Sequence, residues 1–142
     1  MPQRKLDFWS VFAACLIGRI WLVSPLNGAK MTVVYKICPA ALWAEAIAKG
    51  VFAGAPVDHT DGYIHFSNAE QARETAAKYF HGQADLVLIA LEDAPFGDTM
   101  KWEASRGGAL FPHLYGTFAP ADALWVKPLP LNADGSHAFP EL

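Results

Sequence analysis

The chain has 142 residues, 53% hydrophobic and 18% charged, with a formal net charge of −3. That suffices for one domain with a real core and excludes a disordered, collagen-like or disulfide-rich chain. Residues 1–30 carry a charge of +3, and the rest carries −6 from 7 basic and 13 acidic residues; such an acidic body excludes broad binding to nucleic acid.

In residues 1–30, Arg4 and Lys5 precede an apolar run from Phe8 to Gly18, which Arg19 interrupts before Ile20-Trp21-Leu22-Val23. Three readings stay open. Met31 is the natural start, or the run is an export signal, or residues 8–23 form a membrane-associated or packed helix. A small-residue cleavage site is missing, and the run is shorter than the roughly 20 apolar residues of a spanning helix. The two cysteines, Cys15 and Cys38, suggest no disulfide staple, so the expected compartment is reducing and cytoplasmic.

Residues 31–131 read as a single α+β domain and 132–142 as a frayed tail. Thr32–Ile37 is β-branched and aromatic, hence a strand. Pro39–Lys49 reads as a helix burying Leu42, Ala46 and Ile47, with Gly50 as its C-cap. Val51–Thr60 reads as a loop and Asp61–Phe66 as a strand. Asn68–Phe80 reads as a second helix with Ala69, Ala72, Ala76, Tyr79 and Phe80 on one side. Its start is marked by a capping box on Ser67-Asn68-Ala69-Glu70.

Asp85–Leu91 is a near-continuous apolar run, which predicts a central strand buried on both faces. Glu92–Thr99 is a loop, Met100–Glu103 a short strand and Ser105–Gly108 a glycine-rich, mobile segment. Leu110–Phe118 is extended. Leu124–Lys127 is a last strand, ended by Pro128 and Pro130.

The chemistry concentrates in three places. In a strand, Tyr63, His65 and Ser67 share one face, opposite Ile64 and Phe66. That polar row ends at a helix N-terminus, where backbone N–H groups favour an anion. An imidazole between two hydroxyls suits proton transfer or donation to a sugar or phosphate. The plain alternatives are a structural histidine and an N-cap serine. In Lys101-Trp102-Glu103, Glu103 is placed to orient a ribose hydroxyl, or else it is an ordinary edge-strand charge. In Phe111-Pro112-His113-Leu114-Tyr115-Gly116, His113 and Tyr115 share a face in a stiff segment suited to clamping a ligand, or else they fill the core.

The spacing of His59, Asp61, His65 and His113 fits no established zinc pattern, so no metal site is expected. Cys38 lacks a partner motif, and phosphate loops and Gly-x-Ser-x-Gly elbows are absent from the sequence. Arg106-Gly107-Gly108 is weak evidence for an anion cradle, and Arg73 reads as a solvated face.

Taken together, Tyr35-Lys36, Trp43, Asp61–Ser67, Lys101–Glu103 and Phe111–Gly116 resemble the bacterial domain-of-unknown-function family 952, over about Val34 to Leu131. The resemblance implies an ADP-ribosyltransferase-like fold of two small sheets with flanking helices. It implies a likeness to the catalytic lobe of the RNA 2′-phosphotransferases, with Val34–Ile37 as its first strand, Tyr63–Ser67 as its second, and Phe80-His81-Gly82 as the turn before Asp85–Leu91. The His-Gly-Thr that grips the nicotinamide ribose there is Lys36-Ile37-Cys38 here. Asp61 and Gly62 stand where an arginine precedes the second motif. These departures weaken the implied use of NAD.

The expected function is a small-ligand-binding domain, for a nucleotide or an ADP-ribose- or NAD-related compound. His65, Glu103 and His113 are the catalytic candidates, and Tyr63, Ser67 and Tyr115 the ligand-binding ones. Within that reading His65 moves a proton or positions the substrate, Glu103 orients a ribose hydroxyl, and Tyr115 stacks on a ring. The alternative is a catalytically inactive binding or protein-interaction module on the same fold.

Overall fold

The computed structural model describes residues 31–142, without the side chain of Arg106. The three readings of residues 1–30 lie outside the described residues. Thr32–Leu142 forms one compact unit of α+β type with two small antiparallel sheets. Among the described residues no helix is long and apolar enough to cross a membrane.

The first sheet is built on the most apolar strand. β1 (Val33–Pro39) pairs with β3 (Leu86–Glu92) from Val33↔Glu92 to Pro39↔Leu86. β3 pairs on its other side with β6 (Trp125–Leu129). The central place of β3 explains its apolar run: Leu88, Ile89, Ala90 and Leu91 are all fully buried. The last strand runs through Pro128, which faces Val87, instead of ending there. β6 lies at the edge of the sheet, so a residue without an N–H is tolerated.

The second sheet has the order β2 (Ile64–His65), β5 (Leu110–Leu114), β4 (Met100–Ala104). The strand expected over Asp61–Phe66 is thus two residues long. Just past it the chain changes partner. Phe66 N–H still donates to Pro112 O, whereas Ser67 exchanges both backbone bonds with Tyr35 of β1. This bridge ties the two sheets together.

Among the described residues, three α-helices complete the unit. In α1 (Ala40–Lys49), Pro39 is the N-cap and Gly50, at φ 81°, closes the last turn. Its buried residues are Trp43 and Ala46, and Ile47 is exposed, a rotation of the expected face. α2 (Pro56–Asp61) is a helix where a loop was expected. α3 (Ala69–Tyr79) buries Ala72 and Ala76, leaves Tyr79 exposed, and is capped by Asn68 rather than Ser67. Asn68 Oδ1 accepts from Gln71 N–H at 2.8 Å while Gln71 Oε1 accepts from Asn68 N–H at 3.0 Å. The capping box is therefore shifted by one residue.

One core lies between the sheets and includes Val34, Cys38, Trp43, Phe52, Ile64, Phe66, Leu91, Leu114 and Phe118. Burying one such phenylalanine contributes about 2–3 kcal/mol. The second core lies on the other face of the first sheet, where α3 meets Tyr35, Ile37, Leu88 and Leu129. The tail expected to fray packs Phe139 and Leu142 against this second core. It is pinned by Gly82 N–H to Gly135 O at 2.8 Å and by Ala138 N–H to Pro130 O at 2.9 Å.

Candidate functional site

Alternation along β1 turns Val34, Lys36 and Cys38 to the inter-sheet side. Lys36 is 5% exposed there, and an isolated charge so placed costs several kcal/mol. Its partner comes from α2. Pro56 opens that helix, and Asp58 reaches back to accept Ala55 N–H at 2.7 Å. Gly54 makes this possible: at φ +119°, any other residue there would place its Cβ 3.0 Å from Asp58 Cβ.

Asp58 is itself 2% exposed. Lys36 Nζ lies 3.1 and 2.9 Å from its two oxygens. His65 N–H donates to Oδ1 at 3.1 Å, and His65 Nδ1 lies 2.6 Å from the same oxygen. Burial pushes the Asp58 carboxyl up, but His65, Lys36 and Ala55 N–H together outweigh it and hold the group well below the usual carboxylate range. For Lys36 burial wins and lowers the ammonium against the opposing pull of Asp58. Burial likewise pushes the Cys38 thiol up to about 11.

The outer side of His65 meets α2 again, with Nε2 2.9 Å from Asp61 Oδ2. From there the site continues through rings. Tyr63 stacks on His113 at 4.1 Å between centroids, and lies 4.8 Å from His65 and 5.1 Å from Tyr115. His65 and His113, opposite each other in the β2–β5 register, meet edge to face at 5.6 Å.

On the far side of β5, Glu103 Oε1 lies 2.8 Å from His113 Nδ1 and accepts from Tyr115 OH at 2.9 Å. These two bonds, His113 first, hold the Glu103 carboxyl below its ordinary value, and the bond to Glu103 raises the Tyr115 phenol. Lys101 Nζ sits 5.9 Å from the Tyr115 ring centroid. The cluster is graded in depth. His113 is 4% exposed, whereas the side chains of His65 and Glu103 are 33% and 38% exposed.

Of the six expected site residues, Tyr63, His65, Glu103, His113 and Tyr115 meet in this cluster. Ser67 does not. It is buried, and its hydroxyl lies 3.0 Å from Thr75 Oγ1 of α3, because the bridge to Tyr35 carries the chain away from β5. His59 lines a separate groove of about 240 Å³ with Leu42, Lys49 and Pro56. Among the described residues no group of three or more His, Cys, Asp or Glu side chains is arranged to hold a metal ion. Sequence reasoning left Asp58 in a loop and gave Lys36 no role. The one available signal was a lysine in the inward register of a strand between Val34 and Cys38.

The chain belongs to the family described as "Protein of unknown function (DUF952)", whose profile matches residues 37–126. It is similar to the crystal structure of protein CC0527 from Caulobacter crescentus, with 52% identity and a TM-score of 0.73 over 75% of this chain and 94% of that one. It is also similar to the solution NMR structure of CC0527, with 54% identity and a TM-score of 0.68 over 75% of this chain and 91% of that one. No curated protein matches the chain.

Proposed function

We propose that the chain is a small-ligand-binding domain of ADP-ribosyltransferase-like fold. Its site is the face built from Tyr63, His65, Glu103, His113 and Tyr115. The ligand is a nucleotide or an ADP-ribose- or NAD-related compound. The observation that carries this reading is the fixing of Glu103. A half-exposed carboxylate gains little stability from being held, yet two donors from β5 and the residue just beyond it hold this one beside stacked rings. Fixing such a rotamer against its entropy is what a site for a specific acceptor requires. In this reading Glu103 takes a ribose hydroxyl, Tyr115 stacks on a ring, and His65, with His113 behind it, handles the proton.

A second reading has its own support. Lys36 stands where the resemblance puts the ribose-gripping histidine, and its ammonium is committed to Asp58. That favours a binding module without turnover on the same face.

The test is a thermal-shift titration of the full chain with AMP, ADP-ribose and NAD⁺, repeated on His65→Ala and Glu103→Gln. A ligand at one hundred times its Kd adds about 2.7 kcal/mol, a rise of roughly 10 °C for a domain of this size. A saturable rise lost in both variants is the expected result. No shift with any of the three overturns the nucleotide reading.

A further inference from the structure

We propose that Asp58 is a positioning residue for His65: its carboxylate locks the imidazole as the Nδ1–H tautomer and leaves Nε2 as the ring atom that meets a ligand. The proposal rests on the reading of His65 as a ligand-facing group.

Asp58 sits where an ionised carboxylate is surrounded by donors alone. Lys36 Nζ, Ala55 N–H and His65 N–H all point at its two oxygens. A carboxylate accepts and does not donate, so the 2.6 Å contact between Asp58 Oδ1 and His65 Nδ1 requires the hydrogen on Nδ1. One oxygen therefore holds both the backbone and the ring of His65, and turning the ring over breaks the shorter of these bonds.

On the other edge, Nε2 lies 2.9 Å from Asp61 Oδ2, so by the same rule it carries a hydrogen while that contact is made; Asp61, at the end of α2, is the exposed partner, with 40% of its side chain in solvent. Asp58 is clamped by Lys36, Ala55 N–H and His65 N–H, and among the described residues Asp61 has no such clamp, so on losing the Asp61 contact the ring gives up the hydrogen on Nε2 and keeps the one on Nδ1. A charge-assisted bond of this kind biases one tautomer over the other by about tenfold or more.

The test is two-bond ¹H–¹⁵N spectroscopy of the full chain labelled with ¹⁵N-histidine, which resolves both ring nitrogens. The expected wild-type spectrum shows His65 protonated at Nδ1, and Asp61→Asn keeps it so. In the paired variant Lys36→Met/Asp58→Ala, which removes both buried charges together, the Nδ1–H preference falls by about tenfold or more. A bare Nδ1 in the wild type overturns the proposal, as does an unchanged preference in the folded paired variant.

A purely structural Asp58 would move the unfolding midpoint and leave the tautomer alone. Where the paired variant does not fold, Asp61→Asn decides: loss of Nδ1–H there would make Asp61 the orienting group and sink the idea. Titration with AMP, ADP-ribose and NAD⁺ is read separately at Nε2. Silence from all three counts against the ligand reading, while the tautomer of the free protein still judges Asp58.

Discussion

Breaking the Lys36–Asp58 pair from both ends should cost less than the two single changes added together. The side chains are 6% and 1% exposed, so each single change leaves a charge facing the inter-sheet core. Removing one partner of a buried pair costs about 3–5 kcal/mol. Lys36→Met belongs at the lower end, near 3 kcal/mol, because Asp58 keeps Ala55 N–H, His65 N–H and the His65 ring. Asp58→Ala belongs at the upper end, since it strands the ammonium and two backbone N–H groups as well. At about 4 °C per kcal/mol, Lys36→Met lowers Tm by roughly 12 °C. The paired variant should cost at least about 2 kcal/mol less than the sum of the singles. Urea unfolding followed by fluorescence, with Trp43 as a buried reporter, measures all three. A Lys36→Met cost below about 1 kcal/mol, or additivity within about 0.5 kcal/mol, would refute the claim that this pair is buried and coupled.

Other outcomes follow from the same contacts. Asp58 has a depressed folded pKa, so its contribution is full above the unfolded value near 4. It is lost as pH falls through the folded value; acid titration of stability should be shallower in Lys36→Met/Asp58→Ala than in wild type. Glu103 should titrate below an ordinary glutamate in a carboxyl ¹³C experiment, because His113 and Tyr115 bond its carboxylate, and Tyr115→Phe should move it upward; an unchanged midpoint would contradict the bond to Tyr115. Asn68→Ala should cost about 1 kcal/mol, whereas Glu70→Ala should stay within about 0.5 kcal/mol, with the reverse order restoring the Ser67-based cap. Cys38, fully buried and with its thiol pushed up to about 11, should react with thiol reagents only as the chain unfolds; fast labelling of the native protein would deny its burial.

The sequence made β3 legible because a central strand must be apolar on both faces, and its run of Leu86–Leu91 leaves no other choice. It hid α2 because six residues are too few for a helical period to show. Pro56 and Gly62, which open and close that helix, look the same in a loop. The capping frame was undecidable in principle. Ser67-x-x-Glu70 and Asn68-x-x-Gln71 both satisfy the pattern, and the choice is made far away, by Tyr35 taking the Ser67 backbone into a bridge. The same bridge removes Ser67 from the row that alternation gave it beside Tyr63 and His65. The His65, His113 and Glu103 convergence was foreseeable only as three polar faces. Their meeting depends on a register, His65↔His113 and Lys101↔His113, that strand patterns alone do not fix.

The cluster divides at the His65 ring, and the two halves answer to different physics. Inward of it, Lys36 and Asp58 are tied to the core. Changing them changes stability first, so activity losses there say little about a ligand unless the tautomer is read as well. Outward of it, Asp61, Glu103 and Tyr115 keep contact with solvent, and exposed charges of this kind contribute little to folding. Tyr63 joins the halves by touching both histidines and Tyr115. The ligand question is therefore decided on the outer half, where Glu103→Gln and Tyr115→Phe alter chemistry at almost constant stability. A site built this way predicts that ligand response and unfolding midpoint move independently across the outer variants and together across the inner ones. A uniform correlation between the two would mean that the whole cluster is only a polar plug in the sheet.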